Sequence, residues 1–124
     1  MLMRKLPKPA KRSSRWRSQA HLNFVRSFAC VMCDGARKTD AAHVRMGSGA
    51  GIGQKPDDYR AVPLCTGLDG CHARQHQVGE ETFWRGQKVE DIIEQLIKAS
   101  PKRREIEIHR EGGSANNHPP SGDA

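Results

Sequence analysis

Four cysteines constrain this chain more than any other feature. They stand as Cys30-x2-Cys33 and Cys65-x5-Cys71, two pairs with 31 residues between them. The first pair has the form of a knuckle, in which Asp34-Gly35 supplies the bend. Two such pairs can surround one ion with four thiolates, and zinc favours a closed tetrahedron of soft ligands, so the expectation is a structural Zn2+. The x5 spacing of the second pair is wider than the usual two to four, roughly, of such sites. A redox or structural-thiol role is the competing reading of Cys30 and Cys33. A staple is also what the size calls for. The segment able to fold, residues 18–100, is about 80 residues long, where a hydrophobic core alone supplies little stability.

The 124 residues carry 21 Lys+Arg against 14 Asp+Glu, a net charge of +7. The whole excess sits in residues 1–17, which hold Arg4, Lys5, Lys8, Lys11, Arg12, Arg15 and Arg17 and no acid. So basic a segment, with Pro7 and Pro9, has too little apolar surface to fold by itself, and a disordered arm is expected. Its natural partner is a polyanion, because each neutralised phosphate releases counterions. Lys11, Arg12, Arg15 and Arg17 are therefore candidate DNA-binding residues; a merely solubilising tail is the alternative. Residues 101–124 read as a flexible polar tail in which His109 and His118 are solvated.

Several classes are excluded. No run approaches the length of a membrane span. The basic N-terminus lacks the apolar stretch of a secretion signal, so a cytoplasmic location is expected, where thiols stay reduced. The glycine loop from Gly47 to Lys55 matches neither a P-loop nor a dinucleotide fingerprint, and no small-molecule cofactor is expected. That loop reads as a flexible connector. The sharper alternative is that its bare backbone approaches a phosphate, with Arg45 and Lys55 pairing to the same strand.

Between the tails the expected elements are few. AHLNFVRSF (20–28) puts Leu22, Val25 and Phe28 on one face, DAAHVRM (40–46) and YRAVPL (59–64) read as short strands, and Pro63 marks an edge or a strand end. Residues 71–78 are helix-compatible, and 80–85 form one more turn anchored by Phe83 and Trp84. Val89, Ile92, Ile93, Leu96 and Ile97 recur at helical spacing, so 89–99 is the clearest helix, stopped by Pro101. His43 falls on the first strand. His72 and His76, four residues apart, share one helix face and could hold one divalent ion.

The ordered set Cys30-Val-Met-Cys33, Ala41-Ala42-His43, Lys55-Pro56-Asp57-Asp58, Val62-Pro63-Leu64-Cys65, Cys71-His72-x3-His76 and Gly79-Glu80-x2-Phe83-Trp84 resembles the small HNH endonucleases of phages and prophages. It resembles, more distantly, the phage recombination-enhancement nuclease. The likeness spans roughly His21 to Ala99. It implies an α+β chain: a zinc-stapled ββα-metal, treble-clef-like domain with an added C-terminal helix, acting as a metal-dependent DNA endonuclease.

By that resemblance His43 is the general base that activates water, and His72 and His76 hold a catalytic Mg2+ or other divalent cation. Two departures stand out. Ala42 occupies the position where many HNH proteins carry an Asp or His ligand, and the middle Asn is replaced by Asp58 or, as the alternative, Asp57. Such an aspartate could orient His43 or ligate metal. With few ligands, the ion would be held weakly until a DNA phosphate completes its shell. Gly79-Glu80 and Phe83-Trp84 are assigned to packing. Two further functions compete: a zinc-stapled nucleic-acid-binding module without chemistry, and an accessory nuclease that acts only with recombination proteins and is silent on naked DNA.

Overall fold

A computed structural model describes residues 15–33, 35–50 and 54–115. Lys11, Arg12, Asp34 and His118, named above, lie outside the described residues, as do positions 51–53 of the glycine loop. The chain is a mixed α+β structure around one two-stranded antiparallel sheet. The order is α1 (Gln19–Arg26), β1 (Thr39–His43), a 3₁₀ turn (Asp58–Arg60), β2 (Ala61–Cys65), α2 (Cys71–Val78), α3 (Glu80–Phe83), α4 (Val89–Ala99) and α5 (Arg103–Ala115). Among the described residues no helix is long and apolar enough to cross a membrane.

The hairpin is the layer on which the helices pack. Thr39 pairs with Cys65, Ala41 with Pro63 and His43 with Ala61, and Ala42 pairs with Val62 on the opposite face. Because strand side chains alternate, the two faces serve different partners. Ala41 and Ala61 meet Leu22 and Val25 of α1. Ala42, Val62 and Leu64 join Trp84, Val89, Ile93, Leu96, Ile97 and Ile106 in the main core. Ala42 is fully buried there, so the position where a metal ligand is common in the resembling family is a packing position in this chain. Pro63 is tolerated because each strand of a two-stranded sheet has a free edge; its carbonyl accepts from the Val31 amide at 3.1 Å.

Helix α1 starts as a capped helix should: the Ser18 side chain accepts the His21 amide at 3.1 Å. Helix α4 follows its apolar stripe, with Val89, Ile93, Leu96 and Ile97 buried. Arg60, only 9% exposed, joins the hairpin to that helix. Its guanidinium forks onto Glu90 at 3.0 and 2.5 Å and also donates to the carbonyls of Met46 and Val44 at 2.7 and 3.1 Å. Gly47, at φ 78°, carries the turn beside this pair, where a Cβ would sit 2.8 Å from a Glu90 carboxylate oxygen.

Two expectations about the ends need correction. The segment after 101, expected as a flexible polar tail, forms α5 over Arg103–Ala115. Pro101 ends α4 as expected, but Ser100 then starts the next helix, its hydroxyl accepting the Lys102 amide at 3.0 Å. One fully buried side chain, Ile106, anchors α5. Ion pairs hold the rest: Arg103 to Glu107 at 2.9 Å, and Arg110 to Glu94 at 2.7 Å. His109 is half-buried, with its ring 6.0 Å from that of Tyr59, and is not a solvated tail residue. At the other end, residues 15–17 of the expected arm are built onto the domain, with the Trp16 ring tilted against that of Tyr59 at 5.8 Å.

Ile106→Ala tests whether α5 belongs to the folding unit. Loss of a fully buried Ile side chain is expected to cost about 2–5 kcal/mol, read as a lowered denaturation midpoint; an unchanged midpoint would mean that α5 adds nothing to the core.

Candidate metal and cleft sites

The four cysteines converge as their spacing requires. Their sulfurs all lie within 4.8 Å of one another, and they are the group among the described residues in which three or more metal-type ligands could hold an ion. All four are free thiols. Cys33 Sγ stands 3.7 Å from Cys65 Sγ, and a tetrahedron with zinc–sulfur bonds of about 2.3 Å requires about 3.8 Å. The donor set and its spacing therefore fit a metal ion such as zinc.

The backbone is arranged around the sulfurs. The Met32 amide points at Cys30 Sγ at 3.4 Å, and the Cys71 amide at Cys65 Sγ at 3.2 Å. Burial opposes ionisation of Cys30, yet the amides of Cys33, Met32 and Cys65 outweigh it and bring the thiol down to about 7. Cys71 is pushed the other way by burial and by the neighbouring sulfurs. A cation at the centre removes that conflict, since thiolates repel one another without one. The wide x5 spacing is accommodated by a turn that only glycine can make. A Cβ on Gly70 would lie 2.2 Å from the Thr66 carbonyl oxygen and 2.6 Å from that of Cys65.

The histidines occupy a second region. His43, the last residue of β1, lines a cleft of about 1010 Å³ together with His76, Gln75, Glu80, Arg45 and Lys55, among others. Its Nε2 lies 2.8 Å from Asp58 Oδ1. A carboxylate can only accept, so Nε2 carries the proton and Nδ1 keeps its lone pair. Burial lowers the His43 pKa below its ordinary value against the pull of Asp58. The imidazole is therefore neutral at pH 7. Asp58 is thus the partner of His43, while Asp57 receives the Trp16 amide at 2.6 Å and faces Arg15 at 3.5 Å.

His72 and His76 meet on one face of α2, as the four-residue spacing predicts, with Nε2 atoms 3.3 Å apart. His72 Nδ1 donates to Asp40 Oδ2 at 2.9 Å, which leaves its Nε2 as the lone-pair nitrogen facing His76. A carboxylate behind an imidazole is the usual support of a metal-binding histidine. Two nitrogens about 2.0 Å from a single ion would sit about 3.3 Å apart at a near-tetrahedral angle. The pair fits two ligands of one cation; an N–H···N hydrogen bond between the rings gives the same separation.

Several participants were not evident in the sequence. Asp40 lies two residues before Ala42, hence on the same strand face, and period-two counting would have found it. Glu80, expected only to pack, accepts the backbone amides of Arg45 and Met46 at 2.8 and 2.7 Å and so shapes the cleft wall. Gln75 is nearly fully buried with its Oε1 taken by Trp84 Nε1 at 2.7 Å, which locks α2 against the end of α3. Arg45 and Lys55 are exposed and border the cleft. Arg15 and Arg17 are not free cations. Arg17 donates to the carbonyls of Pro56 and Lys55 and pairs with Asp58 at 3.3 Å, so these two residues are tied to the domain and are not part of a disordered arm.

A family model described as "Protein of unknown function (DUF968)" matches residues 2–107. Neither a curated protein nor a solved structure matches the chain.

The metal site sets a testable dependence. Structural zinc contributes about 10–16 kcal/mol in zinc-finger peptides, against a net domain stability of about 5–15 kcal/mol. Stripping metal with a strong chelator is expected to collapse the far-UV circular dichroism, and added Zn2+ to restore it. A spectrum unchanged in metal-free protein would remove the staple from the account.

Proposed function

The chain belongs to the DUF968 family, and we propose that it is a metal-dependent DNA endonuclease of the HNH type, a ββα-metal domain stapled by a structural zinc on Cys30, Cys33, Cys65 and Cys71. The setting implied by the resemblance is phage or prophage recombination or DNA processing. One observation supports this function above the others. His43, neutral and backed by Asp58, opens on the same cleft as His76, with Arg45 and Lys55 on its walls.

Hydrolysis of a phosphodiester needs an activated water, relief of charge on the phosphate, and a stabilised leaving oxygen. His43 Nδ1 takes the proton from the water. Asp58 holds the ring in the tautomer that leaves Nδ1 free and stabilises the imidazolium that forms. Arg45 and Lys55 offer positive charge to the phosphates of the bound strand, and Glu80 keeps the Arg45–Met46 backbone in place beneath them. His72 and His76 would hold the divalent cation, with Asp40 fixing the His72 ring. When bound, that ion supplies Lewis-acid polarisation of the phosphate and charge for the departing oxygen. Two imidazoles leave most of a coordination shell to water and substrate, which supports weak metal binding in the absence of DNA.

One finding favours the non-catalytic alternative: among the described residues only the four cysteines form a ligand group of three or more. A plasmid assay with Mg2+, Mn2+ or Ni2+ separates the cases. Wild type is expected to nick, and His43→Ala to lose about 10²–10⁴-fold in rate while keeping its zinc content and DNA affinity. Cleavage should persist at pH 7 and fall as the pH drops through the lowered His43 pKa, because only the neutral ring accepts a proton. Normal cutting by His43→Ala overturns the mechanism. Silence on naked DNA that ends when a recombinase filament is supplied would identify the accessory nuclease, and silence throughout the binding module.

A further inference from the structure

Asp58 is a buried carboxylate, 4% exposed, and a buried charge must be matched by donors. One donor is His43. The others come from the N-terminal segment. The Ser18 amide donates to Asp58 Oδ2 at 2.8 Å, and Arg17 Nη1 approaches Oδ1 at 3.3 Å. The Asp58 amide in turn donates to the Trp16 carbonyl at 2.8 Å. Residues 15–18 thus form a strap across the loop that carries Asp57 and Asp58. Trp16 pins that strap, with its ring 5.8 Å from Tyr59 and 5.7 Å from His21.

Arg17 does more than neutralise. Its Nη1 serves both the Pro56 carbonyl and Asp58, and its Nη2 donates to the Lys55 carbonyl at 3.0 Å. A planar fork can hold two carbonyls and a carboxylate in one geometry, which a lysine ammonium on a flexible stem cannot do. The carbonyls it holds belong to the cleft-lining stretch Lys55–Pro56.

We infer that Arg17 is a positioning residue for the His43–Asp58 pair, reaching over from the N-terminal strap to set both the place of the Asp58 carboxylate and the field that His43 feels. The inference rests on the nuclease reading for its catalytic consequence and on geometry alone for the positioning. The charged and titratable groups around His43 are Asp58 and Lys55 from the loop and Arg17 from the strap. Arg45, His76, Glu80 and Glu81 border the same cleft. Arg17 and Lys55 both act to keep the ring neutral, opposing Asp58. Without Arg17 the Asp58 charge is less offset, so protonation of His43 becomes easier and its pKa rises.

The test uses the full chain with Arg17→Ala and Arg17→Lys, each checked for zinc content and circular dichroism. His43 ring signals are titrated by NMR, plasmid cleavage is profiled against pH, and DNA affinity is measured without divalent cation. Arg17→Ala is expected to raise the His43 pKa, to move the acid limb of cleavage to higher pH by the same amount, and to lower kcat about tenfold or more with a smaller change in KM. Arg17→Lys should keep the charge, and hence most of the titration, while still losing rate because the fork is gone. It carries the test if the alanine variant does not fold. An unshifted His43 in Arg17→Ala, with DNA affinity and its salt slope reduced instead, makes Arg17 a phosphate contact and overturns the inference. So does an Arg17→Lys protein that cuts like wild type. Should no protein cut any DNA, the NMR titration still decides the role of Arg17, and the silence counts against the nuclease function alone.

Discussion

Four sulfur atoms within 4.8 Å of one another tie the loop before β1 to the end of β2 and the first residue of α2. The two short strands could not hold that arrangement by themselves, since an isolated hairpin is marginal in water at best. An ion shared by Cys65 and Cys71 with Cys30 and Cys33 would fix the angle between the hairpin and α2. His43 at the end of one strand and His76 on the helix then border a common cleft. The tight Gly70 turn and the amides aimed at the sulfurs are the local cost of closing that loop over five residues.

Beyond the sulfur cluster, the molecule is held by polar clamps as much as by its core. Arg60 joins the hairpin to α4 through Glu90, and Glu80 joins α3 to the segment after β1. Trp84 and Gln75 join α2 to α3. Each clamp ends at the wall of the cleft or immediately behind it. A cleft built this way holds its charges in defined places with little reorganisation, which is the condition for electrostatic preorganisation. His43 illustrates the balance. Burial favours its neutral form, and Asp58 opposes that while fixing which nitrogen is free.

How much of this was legible in the sequence differs from element to element. Helix α4 announced itself through Val89, Ile93, Leu96 and Ile97, because an amphipathic helix repeats its apolar residues at its own period. Helix α5 did not, because its core contact is Ile106 and its remaining support is pairing, as between Arg110 and Glu94 on a different helix. Charged residues carry no period that reports their partners. The same limit hid the strap: Arg15 and Arg17 read as free cations, and nothing near them in the chain points to acids 42 and 41 residues away. The middle position stood between Asp57 and Asp58 for a related reason. Neighbouring residues on a turn diverge, and only the fold shows that, of two acids that both meet the strap, Asp58 is the one that reaches His43.

The sequence by itself determined the ligand types and the local shapes: four thiols in two pairs, two imidazoles one helical turn apart, a histidine on a strand, and one strongly amphipathic helix. These are properties of residues close together in the chain, where spacing dictates geometry. Only the tertiary structure decided which acid serves which base, that Asp40 rather than position 42 stands behind His72, and that the N-terminal strap and α5 complete the domain. Those outcomes depend on contacts between distant segments, whose energies are set by burial and by complementary charge and leave no regular mark along the chain.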